Sequence, residues 1–182
     1  MRLDLKENVR LYFFSFFLYC VIGWIYEVVL GLLYGHGFVN RGFLLGPYLP
    51  VYGFGVVLLL LLLKGVMSRK RYIGRLPVTP LLVFVLIVFI TTIVEFFTSW
   101  ALEAVFDKRW WDYSADFLNI DGRVCPRTSF RFGLGGMVLL YGVQPLFSRL
   151  IAKVPDSLQK AAMIVILAVM LTDLAVTLLF MI

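Results

Sequence analysis

Five apolar runs dominate the sequence, and each is long enough to cross a lipid bilayer. About 20 apolar residues in a helix span the hydrocarbon core of a membrane. The chain is 62% apolar with a mean hydropathy of +0.94, more apolar surface than a soluble domain can hide. We therefore predict an all-α, multi-pass membrane helix bundle. Its five transmembrane helices are expected at about 10–34, 48–66, 78–104, 128–150 and 158–181.

The polar parts of the chain are too short to fold alone. The longest, roughly 105–128, is far below the length that builds a hydrophobic core. We therefore expect residues 1–182 to form a single integral membrane domain. One histidine and two cysteines argue against a zinc or iron–sulfur site, so no metal and no cofactor is expected.

The distribution of Lys and Arg predicts the orientation. With a cytoplasmic N-terminus, eleven of the 17 basic residues lie on the cytoplasmic side, five of them in the loop 64–75. This excess fits the positive-inside rule. The net charge of +6 is then a signal of topology in a cell membrane, with lipids as partners, and no nucleic acid is needed to explain it. The segments 35–55 and 105–131 are predicted to be extracytoplasmic.

Three carboxylates interrupt the apolar runs: Glu27, Glu95 and Asp173. An ionised group at the centre of a membrane helix costs on the order of 2.5–3.5 kcal/mol on insertion scales, so such residues are often functional. Counted at 1.5 Å per residue, all three lie roughly 9–13 Å below the outer helix ends, where they could share one cavity. We expect Arg41 or Arg123 to neutralise Glu27 or Glu95. The competing interpretation is that these groups are hydrogen-bonded glue between packed helices.

The third apolar run carries a polar stripe at helical spacing. The stripe predicts one polar helix face opposite Phe96, Phe97 and Leu102. Its members are Thr91, Thr92, Glu95, Thr98, Ser99 and Glu103.

The segment NRGFLLGPYLPVYGFG, 40–55, combines four glycines and two prolines at the start of the second span. Glycine permits unusual backbone conformations, and proline delays the start of a helix. Irregular backbone at membrane depth is tolerated where protein buries it or where it lines a wet cavity. We therefore expect a re-entrant start to the second span, with Asn40 and Arg41 at its rim. The alternative is a surface loop whose Tyr48 and Tyr52 belong to an interfacial aromatic belt.

The second polar segment, 109–136, is dense in charge but balanced in sign. Trp110, Trp111 and Tyr113 are typical of an interfacial belt. The polar residues that a belt does not explain are Asp112, Asn119, Asp121, Arg123 and Arg127. Cys125 has no evident general base, because the one histidine, His36, lies on another loop.

The two halves of the chain echo each other. Glu27 is followed by Asn40, Arg41, a proline and a glycine-rich helix start; Glu95 is followed by Asn119, Arg123, a proline and another such start. We read this as a loose parallel repeat of two spans, as some transporters have.

At these residues the chain resembles a bacterial membrane-protein family named putative ABC-transporter type IV. The resemblance rests on GWIYE at 23–27, NRGFLLGPYLPVYGFG at 40–55, Glu95, and WWDYS with a following Asn and Gly-Arg-x-Cys at 111–125. The family name implies a permease component. The chain has no GxxxxGK[ST] motif, so a separate ATPase subunit would supply ATP hydrolysis.

Three functions remain open from the sequence. The first is a permease-like component whose outward polar cavity binds or moves a small polar or amphipathic solute. The second is an enzyme acting on a lipid-linked or envelope substrate, with paired carboxylates as acid and base and Arg41, Arg109 or Arg123 holding a phosphate. The third is a non-catalytic sensor or assembly factor. The candidate cavity residues are Glu27, Asn40, Arg41, Tyr52, Glu95, Asp112, Tyr113, Asn119, Arg123 and Asp173.

Overall fold

The computed structural model describes residues 5–35 and 37–181 and confirms an essentially all-α chain. His36 lies outside the described residues. Five helical stretches are long and apolar enough to cross a membrane. The helices are α1 (Leu5–Leu33), α2 (Pro50–Met67), α3 (Thr79–Phe106), α4 (Pro126–Val138), α5 (Gln144–Ile151) and α6 (Asp156–Met181). A π-helical turn, Leu139–Val143, joins α4 to α5, so the predicted fourth span is one composite helix.

The chain divides into two compact units. The first takes residues up to Val57 and from Gln144 onward, and the second takes Leu58–Val143. The first unit therefore contains α1, the start of α2, α5 and α6. The second contains the rest of α2, a short hairpin, α3 and α4. The expectation of a single membrane domain stays a prediction.

In the first unit, residues 40–49 form an irregular segment that descends beside α1; we call it the re-entrant segment. The backbone N–H of Leu49 donates to the carbonyl oxygen of Cys20 at 2.9 Å, and Cys20 lies about 20 Å below the end of α1 at 1.5 Å per residue. Leu44, Tyr48 and Leu49 are buried there. Protein therefore covers part of this irregular backbone, as a re-entrant start to the second span would need, and re-entry into the membrane stays a prediction.

Two glycines let α2 begin directly against α1. A Cβ at Gly23 would collide with the ring of Tyr52, and a Cβ at Gly53 would lie 2.6 Å from the carbonyl oxygen of Phe16. Small residues are the usual device for close approach of membrane helices. Within the sequence GWIYE at 23–27, Gly23 leaves room for the ring of Tyr52. The hydroxyl of Tyr52 in turn binds Glu27 of the same motif.

A buried hydrogen-bond network joins α1 to α5. The Tyr19 hydroxyl donates to Oε1 of Gln144 at 2.7 Å, and Nε2 of Gln144 donates to Oγ of Ser15 at 3.0 Å. All three side chains are buried. An unsatisfied amide is costly in an apolar environment, so these hydrogen bonds stabilise the packing of α1 against α5.

In the second unit, α3 packs against α4 through glycines of α4. A Cβ at Gly133 would lie 2.7 Å from the ring of Phe84, and a Cβ at Gly136 would lie 2.7 Å from Ile87. Ile87 is fully buried in this contact. The close packing brings the polar stripe of α3 within reach of α4 and of the loop before it.

Two short strands connect α2 to α3. β1 (Tyr72–Ile73) pairs antiparallel with β2 (Leu76–Pro77). Gly74 takes the left-handed φ of 61° that the first central residue of a two-residue hairpin turn demands. We call residues 68–78 the basic hairpin.

Candidate functional site

Glu27 of α1 is held by a tyrosine of the neighbouring helix. The hydroxyl of Tyr52, in the first turn of α2, donates to Oε1 of Glu27. The sequence GWIYE therefore supplies a carboxylate whose described hydrogen bond comes from a neutral hydroxyl donor of α2.

Asn40 fixes the upper part of the re-entrant segment. Its Oδ1 accepts from the indole N–H of Trp24 at 2.6 Å, and its Nδ2 donates to the carbonyl oxygen of Leu45 at 2.8 Å. The guanidinium of Arg41 lies over Gly31 of α1, where a Cβ would come within 2.9 Å of Nη2. Both rim residues therefore bind the segment to α1.

Asp173 of α6 binds the same segment mainly through backbone donors. Its Oδ1 accepts the N–H of Leu45 at 3.0 Å, and its Oδ2 accepts the N–H of Gly46 at 2.9 Å. The hydroxyls of Tyr48 (2.5 Å) and Thr177 (3.3 Å) complete the set. Four donors satisfy this carboxylate, and no cation of the described residues pairs with it, which explains how it lies in a largely apolar helix.

Along α3, four residues form what we call the α3 ladder: Thr92, Glu95, Ser99 and Glu103. Each contacts α4 or the loop before it. Their partners are Ser129 for Thr92 (2.8 Å), Tyr113 for Glu95 (3.1 Å), Arg123 for Ser99 (3.3 Å) and Arg123 again for Glu103 (2.5 Å). Four of the six residues of the predicted polar stripe therefore face one set of partners over about 16 Å of helix. The prediction that Phe96 lies on the opposite face is wrong, because the Arg123 guanidinium is 5.9 Å from the centre of its ring.

Glu95 differs from the other members of the ladder. Tyr113 donates to its Oε1, but its Oε2 is buried and has no hydrogen-bond partner among the described residues. The hydroxyl of Thr91, one turn earlier in α3, donates to the backbone oxygen of Ile87 and not to Glu95. No ion pair joins Glu95 to a basic residue within the described chain. An unpaired carboxylate oxygen in a membrane helix is costly unless a ligand or a proton compensates it.

Two arginines of the loop 107–125, which we call the arginine loop, close a four-residue ion-pair network. Arg123 contacts Glu103 at 2.5 Å and Asp121 at 2.7 Å. Arg109 contacts the same two carboxylates, at 2.9 Å and 3.7 Å. The hydrogen bond from Arg109 to Glu103 holds the pKa of the Arg109 guanidinium above its ordinary value. Two positive and two negative charges cancel here.

The arginine loop is also braced by its own turns. Asp112 accepts from both the N–H (2.9 Å) and the hydroxyl (2.5 Å) of Ser114, and these bonds hold the pKa of Asp112 below its usual range. Oδ1 of Asn119 accepts the N–H of Gly122 at 3.0 Å, and the Trp111 indole donates to the carbonyl oxygen of Arg123 at 2.9 Å. Asp112, Asn119 and Trp111 therefore shape the loop.

The structure distributes the ten predicted cavity residues between the two units. It groups Glu27 with Tyr52, Asn40 with Trp24, and Asp173 with the re-entrant segment in the first unit. Glu95 is grouped with Tyr113 in the second.

Arg123 pairs with Glu103 and Asp121, so the predicted neutralisation of Glu27 or Glu95 depends on Arg41 and stays a prediction. The shared cavity of Glu27 and Glu95 also stays a prediction, because the two carboxylates belong to different units.

Several polar residues of these clusters are not among the ten cavity residues predicted from the sequence. Glu103 lies four residues after Ser99 on the polar stripe, so helical periodicity alone indicates that it belongs with the other stripe residues. Ser129 had no such signal, because a single serine is common in membrane helices. Tyr48 was attributed to the interfacial alternative, yet its hydroxyl binds Asp173.

Comparison with known proteins identifies a family. The family model described as putative ABC-transporter type IV matches residues 14–178, nearly the whole chain, including both loops and the α3 ladder. No curated protein and no solved structure matches. The chain therefore belongs to the putative ABC-transporter type IV family.

Proposed function

We propose that this chain is a permease-like component of a transporter and that it binds a small polar or amphipathic solute at Glu95. The family assignment and the five membrane-spanning helices support a transporter-like membrane protein. The observation that carries the solute site is the buried Oε2 of Glu95, which lacks a partner in the described chain. A donor on the solute would supply the missing hydrogen bond.

The surroundings of Glu95 suit a binding role more than a packing role. Helix-packing groups gain from mutual satisfaction, as Asp173 does with four donors. Glu95 instead keeps one oxygen unsatisfied beside the hydroxyl of Tyr113, at an expected cost of about 1–3 kcal/mol. Natural proteins concentrate such local costs at functional sites.

The enzyme alternative loses support at two of its three candidate arginines, Arg109 and Arg123. A phosphate clamp needs arginines with free donors and uncompensated charge. Arg109 and Arg123 instead share Glu103 and Asp121. A phosphate at these arginines would first have to displace both carboxylates.

A ligand screen on purified protein tests the solute site. We expect at least one compound in a panel of amines, amino acids and sugars to raise the melting temperature in detergent, because binding to the folded state alone stabilises it. Glu95→Gln should abolish the shift. The matched control is Asp107→Asn, which removes one exposed charge at the end of α3 and keeps a residue type that tolerates the φ of 51° found there.

Three results would count against the proposal. A shift that persists in Glu95→Gln would place the ligand elsewhere, and an equal loss in Asp107→Asn would reduce the effect to net charge. A panel without any shift, together with Glu95→Gln more stable than wild type, would return Glu95 to the packing interpretation.

A further inference from the structure

The basic hairpin is the one part of the second unit where several cations lie together without carboxylates. Arg69, Lys70, Arg71 and Arg75 are all exposed. Among the residues that the structure describes, none of the four forms an ion pair. No Asp or Glu occurs between Lys64 and Val94. The positive potential of this segment is therefore not cancelled locally.

The same hairpin exposes large apolar side chains beside the cations. Tyr72 is 57% exposed, Ile73 is 73% exposed and Leu76 is 72% exposed. A solvated topology signal needs only the charges. Three exposed apolar groups next to four cations instead form a surface of mixed character, with one part suited to acyl chains and the other to phosphates.

This surface is held in a defined shape. The hydroxyl of Thr79 accepts the N–H of Arg71 at 2.8 Å and donates to the carbonyl oxygen of Arg69 at 2.9 Å. The N–H of Val78 donates to the carbonyl oxygen of Arg71 at 3.0 Å. Thr79 is the buried first residue of α3, so the hairpin is attached directly to the end of a membrane helix.

The length of the hairpin places it at the bilayer surface. Gly74 at the turn is five residues from Thr79, so an extended chain could carry it at most about 17 Å from the helix end. The headgroup layer is about 5–8 Å thick on each side, and the Debye length adds about 8–10 Å at physiological salt. The cations are therefore within electrostatic reach of lipid phosphates.

We infer that the basic hairpin, residues 68–78, is a binding site for anionic phospholipids. The cations contact the phosphate headgroups, and Tyr72, Ile73 and Leu76 insert among the upper acyl carbons. Juxtamembrane clusters of Lys and Arg bind anionic lipids electrostatically. The inference is independent of the solute site, because it uses neither Glu95 nor the arginine loop.

Lipid titration of the purified full-length chain in detergent tests the site. Native mass spectrometry would count bound short-chain phosphatidylglycerol, with phosphatidylcholine as the neutral comparison. We expect tighter binding of phosphatidylglycerol, a 10- to 100-fold rise in its apparent Kd for Lys70→Gln/Arg71→Gln/Arg75→Gln, and weaker binding at high salt. Inorganic phosphate at about 10 mM should not displace the lipid, because it lacks the acyl contacts.

A matched triple variant controls for net charge. Arg149→Gln/Lys153→Gln/Lys160→Gln removes three other exposed cations that are predicted to lie on the same side of the membrane, and it should change the Kd by less than about threefold if the hairpin carries the site. A second variant, Tyr72→Ser/Ile73→Ser/Leu76→Ser, keeps the charges and should still weaken binding. Circular dichroism would verify that each variant is folded.

Three outcomes would overturn the inference. An equal loss in both charge variants would mean a general charge effect, and no loss in the hairpin variant would mean that the lipid binds elsewhere. Equal binding of phosphatidylglycerol and phosphatidylcholine would leave the hairpin as a surface for an acidic segment of a protein partner.

Discussion

The re-entrant segment and the arginine loop are both tied to carboxylates of membrane helices, but by opposite means. The re-entrant segment binds Asp173 through two backbone N–H groups and the Tyr48 hydroxyl. The arginine loop binds Glu103 through two guanidinium groups. Neutral donors leave the negative charge of the helix in place, whereas arginines cancel it. The two loops therefore give their units different electrostatic character from similar polar sequences.

Each unit also contains a tyrosine that binds a glutamate of a membrane helix, one in the first turn of α2 and the other in the arginine loop. Tyr52 binds Glu27 and Tyr113 binds Glu95. Each loop is shaped further by an asparagine, Asn40 or Asn119, that bonds to nearby backbone. These paired contacts are compatible with the loose repeat read from the sequence, which stays a prediction.

The largest effect is expected from Asp173→Ala. The change leaves two backbone N–H groups and two hydroxyls without their acceptor, and hydrogen bonds to charged groups contribute about 1.5–3 kcal/mol each. Because part of the segment is exposed, including Leu45, we expect less than the sum of four such bonds, a loss of about 2–4 kcal/mol in the free energy of unfolding. A melt in detergent would measure it, with Asp107→Asn as the control. A loss no larger than in that control would mean that the segment is held without Asp173.

A smaller loss is expected from Arg123→Gln, because Arg109 remains on Glu103. The melting temperature should fall by less than in Asp173→Ala. In the double variant Arg123→Gln/Glu103→Gln, the second change should cost less than it does alone, since the stranded carboxylate is removed. Additive effects in this cycle would show that the two side chains are not coupled and would weaken the contrast between the loops.

The two tyrosine–glutamate contacts can be weakened separately by removing one hydroxyl at a time. Tyr52→Phe and Tyr113→Phe each remove one hydroxyl donor to a glutamate and keep the ring, so each should lower the free energy of unfolding by about 1–2 kcal/mol. Equal losses in the two melts would support the repeat. A loss in only one variant would show that the shared motif has different roles in the two units.

The smallest effect concerns Asp112 and depends on pH. Because Ser114 holds the folded pKa of Asp112 below its usual range, the ionised group stabilises the loop above the ordinary aspartate pKa of about 3.9. That contribution disappears as the pH falls through the lowered folded pKa. Wild type should therefore melt slightly above Asp112→Asn at pH 7, with the difference shrinking towards about pH 3. A difference that grows on acidification would contradict the assignment.

Sequence patterns predicted the helices well and the loop contacts poorly. Apolar length and glycine or proline punctuation placed the second and third spans within about two residues of α2 and α3. The first helix begins earlier than the apolar run, at Leu5, because polar residues continue a helix that has already formed. Helical periodicity also placed Glu95, Ser99 and Glu103 on one face.

The identity of each loop partner depends on backbone geometry that periodicity does not contain. The sequence predicts that Arg41 or Arg123 neutralises Glu27 or Glu95; Arg123 instead pairs with Glu103, after a turn that Asn119 and Gly122 shape. Tyr19 and Gln144 are 125 positions apart in the sequence, and neither interrupts its apolar run strongly. Neutral polar residues carry a weak signal in membrane helices, even where they lock two helices together.

The contact between Asp173 and Leu45 has a consequence for how this family can diverge. The donor at position 45 is the backbone N–H, and the leucine side chain is 62% exposed. Every amino acid except proline supplies that donor, so position 45 can drift freely while the acid at 173 keeps its partner. Pairwise covariation between the two positions should therefore be weak, although their atoms lie 3.0 Å apart. In an alignment of the family, this hydrogen bond would be visible only as the absence of proline at position 45.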